Sequence, residues 1–203
     1  RTLYYDSSAS LGDGGTFISG INSAVLLGNN SYISAAGNNM VGIALTGGYS
    51  GGIPVTINGE TVYQEATNKG VINFSGDKST AIYVTNGASA KNEGSIYLGG
   101  SSVGLYGSGS GTSIENTGHI EIGAESSGLY IKDGDNVSNY GTINSNGERS
   151  VGIYLDGISN ITGENNGVIT LTGDKSVGVY ITSDGQKTFN NRNSVEIGNS
   201  ASM

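Results

Sequence analysis

Residues 139–155 read Asn139-Tyr140-Gly141-Thr142-Ile143-Asn144-Ser145-Asn146-Gly147-Glu148-Arg149-Ser150-Val151-Gly152-Ile153-Tyr154-Leu155. Two apolar alternations lie here on either side of a Gly-containing turn, and both have the period of two that belongs to strands. The same frame, Asn-x-Gly-x-Ile, turn, Ser-Val-Gly-Ile-Tyr-Leu or a close variant, recurs along the chain. Its first half opens at Asn68, Asn92, Asn116, Asn139 and Asn165, with a degenerate copy at Asn191. Successive spacings are 24, 24, 23, 26 and 26 residues. The second half keeps step through Tyr83, Tyr106, Tyr130, Tyr154 and Tyr180, spaced by 23, 24, 24 and 26. An older-looking copy lies upstream, where Asn29-Asn30-Ser31-Tyr32-Ile33 precedes Met40-Val41-Gly42-Ile43.

A unit of two or three short strands cannot bury its apolar face alone, so like strands must stack on like strands about 4.8 Å apart. The predicted fold is therefore all-β: a right-handed parallel β-helix, or solenoid, with coils of about 24 residues. Six or seven coils would make a rod on the order of 30 Å long. Residues 1–28 read as a divergent N-terminal coil or cap, and 29–203 as the repeats proper. A leucine-rich repeat would need a Leu-x-x-Leu-x-Leu frame that is absent, and a calcium-binding β-roll a Gly-Gly-x-Gly-x-Asp series.

Composition agrees. The 203 residues include Gly 36 but only Pro 1, which suits many tight turns and not a disordered linker. A formal charge of −8 repels phosphate backbones and anionic lipid, so nucleic acid is not an expected partner. Cys 0 removes disulfides and thiolate metal sites, and a single histidine leaves no cluster for zinc. No cofactor or metal site is expected. With no run of 18 apolar residues, direct membrane insertion is not expected either. Arg1-Thr2-Leu3 is no signal-peptide start, so the chain reads as a mature or excised fragment.

The frame assigns faces. Val103, Leu105, Ser127, Leu129, Val151, Ile153, Val177 and Val179 are expected inward, which turns Tyr83, Tyr106, Tyr130, Tyr154 and Tyr180 outward as one ladder. That ladder either stabilises neighbouring coils through ring contacts or offers a flat aromatic strip for sugar or protein contact. The asparagines Asn68, Asn92, Asn116, Asn139, Asn165 and Asn191 sit where the chain turns a corner. Asparagine tolerates left-handed backbone there, and stacked copies could pass amide hydrogen bonds from coil to coil as a structural ladder.

Few charges align. Lys91 with Glu115, and Lys132 with Asp156, occupy equivalent sites on adjacent coils and read as exposed ion pairs. A carboxylate cluster with a basic residue, as glycan cleavage would need, is not found in register. His119 reads as a surface histidine with Glu121 two residues on. Asp133-Gly134-Asp135-Asn136 reads as a polar turn, lacking the spaced ligands of a calcium loop. The frame breaks at about 47–66, where alternation around Asn58-Gly59 signals a hairpin that could project from the rod. Ile53, Asn58 and Tyr63 are its candidate recognition residues.

The pairing of Asn-x-Gly-x-Ile with Ser-x-Gly-Ile-Tyr resembles repeats in the passengers of large fusobacterial-type autotransporters, over residues 29–200. Vacuolating-toxin-like autotransporters are similar more distantly. The resemblance implies a segment displayed on the bacterial cell surface or outer membrane, or secreted. Its implied function is that of a non-enzymatic adhesin or its stalk, with host or bacterial cell-surface proteins or glycans as partners. It also implies a longer parent protein with a C-terminal membrane barrel. A serine-protease passenger would need a Gly-Asp-Ser-Gly-type site, which is absent. The other readings are a β-helical polysaccharide-degrading enzyme and a toxin-like module. An unpaired terminal coil would allow weak edge-to-edge self-association.

Overall fold

The structure, a computed structural model, describes residues 2–47, 54–57, 59–182 and 184–198, with 54–57 and 60–63 described as backbone. It is a parallel β-solenoid of about eight turns, each close to 24 residues, with no helix among the described residues. A coil has three strands. Thr2–Tyr5, Ala24–Leu27, Glu65–Asn68, Ser89–Asn92, Ser113–Asn116, Asn136–Asn139, Ile161–Asn165 and Lys187–Asn191 stack as the first sheet. The second stacks Ser8–Leu11, Tyr32–Ala35, Val71–Phe74, Ser95–Leu98, His119–Glu121, Thr142–Ser145, Val168–Leu171 and Val195–Ile197. The third stacks Thr16–Ile21, Val41–Thr46, Thr80–Thr85, Val103–Ser108, Ser127–Lys132, Val151–Asp156 and Val177–Ile181. Residues 2–21 thus form a first complete coil paired in register with the second.

Inward positions form aliphatic columns. Ile33, Ile72, Ile96, Ile120, Ile143 and Ile169 stack in register on the second sheet, all fully buried. Ile43, Ile82, Leu105, Leu129 and Ile153 do the same on the third. Each such side chain contributes about 1.5–3 kcal/mol by leaving water. On the first sheet the column runs Ala66, Ala90, Ile114, Val137, Gly163, Phe189, and the ring of Phe189 packs over the space left by Gly163.

Three expectations need correction. Val103, Ser127, Val151 and Val177 are only half-buried, because Gly104, Gly128, Gly152 and Gly178 take the inward position beside Leu105, Leu129, Ile153 and Val179. Two successive inward residues break strict alternation in the third sheet. Val179 itself is half-buried, lying on that sheet's last strand.

The corner asparagines, second, are not left-handed. Positive φ falls at the next corner, on Lys78 (57°), Ser101 (51°), Glu125 (58°), Arg149 (54°) and Lys175 (58°). The hairpin, third, does form: Pro54–Ile57 pairs antiparallel with Glu60–Tyr63 across Gly59 at φ 81°. It does not stand off the rod, since its first strand comes within 8 Å of Thr2–Tyr5. Ala24 and Leu26, outward by parity, are 1% and 3% exposed.

A side chain in left-handed backbone costs about 1–2 kcal/mol, of which glycine's extra freedom when unfolded returns about half. Lys175→Gly is therefore expected to raise unfolding stability by up to about 1 kcal/mol in urea titrations.

Candidate functional site

Outward positions are free of the packing constraint, so chemistry on this rod has to be sought on its faces. On the third sheet, Tyr83, Tyr106, Tyr130, Tyr154 and Tyr180 pair in register on successive coils. Ring centroids are 5.1, 5.2, 4.3 and 4.9 Å apart along the row. The first two contacts are stacked, at 6° and 22° between planes, and the last two are edge-to-face, at 72° and 86°. Rings stacked on each other cover their own faces, so the middle of the row presents edges and hydroxyls, not an open platform. Tyr106, Tyr130 and Tyr154 are half-buried, whereas the terminal Tyr83 and Tyr180 are 39% and 47% exposed.

Tyr130 donates its hydroxyl to Asp156 Oδ2 at 2.7 Å, and burial together with this bond pushes its ionisation well above the usual tyrosine range. The same bond holds the Asp156 carboxyl below the usual carboxylate range. Lys132 and Asp156 are register partners as expected, but Asp156 turns to Tyr130 and to the Gly157 N–H.

The asparagine row lies at the corner between the first and second sheets. Nδ2 of Asn68, Asn92, Asn116, Asn139 and Asn165 donates to Oδ1 of the next asparagine at 2.8, 2.9, 2.8, 2.8 and 2.8 Å. All five donors are fully buried, and Asn191, on the last coil, is exposed. The row is structural. Of the hairpin candidates, Ile53 and Asn58 fall outside the described residues, and Tyr63 is described as backbone in a strand.

The expected Lys91–Glu115 ion pair forms on the outer face of the first sheet, inside a larger charged cluster that sequence reasoning missed. Lys91 Nζ lies 3.1 Å from Glu93 Oε1 and 3.4 Å from Glu115 Oε1, while Lys69 reaches Glu93 at 3.6 Å. Burial lowers the Lys91 ammonium, but Glu93 and Glu115 outweigh it and hold its pKa above the usual value. Glu65 borders the same groove of about 220 Å3 with Ser89 and Ser113. Desolvation raises the Glu65 carboxyl above the usual range against the 2.7 Å bond that it accepts from Thr67. Two carboxylates therefore pair with Lys91 while a third, Glu65, borders the groove, a grouping that the expectation of no in-register cluster did not include. The signal was available: Glu65, Ser89 and Ser113 share one register column, and Thr67, Lys91 and Glu115 the next but one.

His119 is held between Thr142 Oγ1, 2.7 Å from Nδ1, and Glu121 Oε2, 3.6 Å from Nε2. In the Asp133 turn, Asp133 Oδ1 accepts the N–H groups of Ile158 (2.6 Å) and Ser159 (3.1 Å), and Asp135 accepts that of Gly111 (3.0 Å). Those bonds clamp coil to coil, and no group of three or more acidic or histidine side chains among the described residues is placed to hold a metal ion. No family model, curated protein or solved structure matches the chain.

The folded state favours neutral Glu65, so relative stability from this group is present below its unfolded pKa and lost as pH rises through the raised folded one. Glu65→Gln is expected to match the parent in urea at pH 4 and to exceed it at pH 8.

Proposed function

We propose that this chain is a non-enzymatic binding or stalk segment of a bacterial surface adhesin of the autotransporter type, displayed outside the cell. The observation that carries the reading is the unbroken tyrosine row along the third sheet of the solenoid, ending in two exposed rings. Exposed tyrosines supply amphipathic contact area at low entropic cost, as binding surfaces require. The recurring Asn-x-Gly-x-Ile and Ser-x-Gly-Ile-Tyr pair and the net charge of −8 support an extracellular protein or glycan partner over a nucleic acid. Purified chain should bind host cells or partner bacteria saturably. The double variant Tyr83→Ser, Tyr180→Ser should lose most of that binding while its melting temperature stays near the parent's; binding unchanged in the variant would remove the row from the contact.

One observation favours a second reading, glycan cleavage in the groove at Glu65. A carboxyl biased toward its neutral form beside carboxylates is the pairing that glycosidic hydrolysis uses. Release of reducing ends from a glycan panel, lost in Glu65→Gln, would replace the adhesin reading with this one.

A further inference from the structure

Ring contact runs without a gap from Tyr83 through Tyr106, Tyr130 and Tyr154 to Tyr180, and no two neighbouring centroids lie more than 5.2 Å apart. Rings at these separations touch. A one-electron vacancy on one phenol passes to a touching phenol because both have the same oxidation chemistry, so the row is a continuous path for charge. It is open to solvent at Tyr83: the preceding coil carries Ala44 at the same register position, no ring covers that side, and Tyr83 is 39% exposed. Tyr180, 47% exposed, gives a second entry through Tyr154.

What distinguishes the five rings is where the phenolic proton can go. A tyrosine that loses an electron becomes strongly acidic, and it settles as a neutral radical only once that proton has been accepted. Among the described residues, Tyr130 is the one ring of the row whose hydroxyl donates to a carboxylate, Asp156 Oδ2 at 2.7 Å, within the reach that proton transfer requires. Tyr130 is also the middle ring, half-buried and touched by Tyr106 on one side and Tyr154 on the other. Tyr140 gives the contrast. Its hydroxyl donates to the Glu164 carboxylate, but it lies on another face, 47% exposed and outside the row.

We propose that the row is a one-electron relay, in which a diffusible one-electron oxidant such as nitrogen dioxide acts on an exposed end ring and the radical comes to rest on Tyr130 with the proton on Asp156. The oxidant is reduced by one electron. That electron leaves Tyr130 and travels through Tyr106 and Tyr83, or through Tyr154 and Tyr180, and the rings on the path end unchanged. The Tyr130 O–H bond breaks, an O–H bond forms on Asp156 Oδ2, and no net proton is exchanged with water. A radical on an exposed phenol couples with one on another chain to form a dityrosine bond, whereas a radical held at Tyr130 is kept from a second chain. The relay goes beyond the adhesin reading and does not depend on whether the row touches a partner.

The test oxidises the chain with trivalent tris-bipyridyl ruthenium, generated by a light flash with persulfate as electron acceptor. The tyrosyl radical is followed by electron paramagnetic resonance and covalent dimers by denaturing gel. The parent should give a long-lived radical and few dimers. Tyr130→Phe, which removes the resting place, should shorten the lifetime several-fold and raise the dimer yield. Asp156→Asn, which still accepts the hydrogen bond but cannot take the proton, should do the same. So should the double variant Tyr106→Phe, Tyr154→Phe, which keeps the packing around Tyr130 and cuts both paths to it, at a melting temperature near the parent's. Tyr140→Phe should change neither readout. A lifetime and dimer yield unchanged in Asp156→Asn or in the double variant, or an effect of Tyr140→Phe as large as that of Tyr130→Phe, would each overturn the proposal.

Discussion

Stacking one coil on the next forces a polar corner into the interior, and the asparagine ladder is how this chain resolves that constraint. Around the corner the backbone keeps its coil-to-coil bonds, Asn68 O accepting the N–H groups of Glu93 and Gly94 at 2.8 and 2.9 Å, and the asparagine side chains occupy the space inside it. Each ladder amide answers two needs, reaching the asparagine above and a carbonyl two residues along its own chain, at 3.3 Å for Gly70 and 3.2 Å for Gly94. The glycine of Asn-x-Gly follows from the same closeness. A methyl group at Gly94, Gly118, Gly141 or Gly167 would collide with the glycine carbonyl oxygen of the preceding coil. Where the ladder begins, Asn68 lies in register with Leu27, and its Oδ1 is buried without a partner. An isolated amide of that kind costs about 1–3 kcal/mol, which is why the residue is useful only as a series.

A second row secures the next corner. The buried hydroxyls of Ser79, Ser102, Ser126 and Ser176 accept the backbone N–H of Met40, Ser79, Ser102 and Ser150 at 3.1, 3.1, 3.0 and 3.2 Å. Each follows a left-handed residue, so the turn and its hydrogen bond are one device repeated. With both corners fixed from inside, the outward columns carry side chains that the corner repeat does not dictate. Tyrosines occupy one column, a lysine and carboxylates another, and Ser19 and Ala44 stand in the tyrosine column on the first two coils.

The fold was legible because its cause is periodic. Register between coils is set by the same residues that repeat in the sequence, and the 24-residue spacing of Asn68, Asn92 and Asn116 alone puts them on one line. What escaped depended on contacts between columns. Nothing in Ser-Val-Gly-Ile-Tyr alone says that glycine, not valine, turns inward, since that depends on the neighbouring coil's carbonyl. The left-handed corner went to asparagine on propensity, yet Lys78, Glu125 and Arg149 adopt it because the turn imposes it. The Glu65 groove could be read from the register, but Glu65 stands one column away from Lys91 and Glu115, so the repeat by itself does not single it out. The tyrosine row was found, but its rings cover one another in a way that no sequence period conveys.

The central claim is that the buried ladder, not the sum of local turns, holds the coils together. Urea unfolding of Asn116→Ala against Asn191→Ala tests it most directly, because the two residues share a register column and differ in burial and in having a partner above. Removing Asn116 strands the Asn92 amide and the Asn139 carbonyl and should cost roughly 2–4 kcal/mol, against less than about 1 kcal/mol at Asn191. Equal losses at the two positions, or a loss at Asn116 below about 1 kcal/mol, would contradict it.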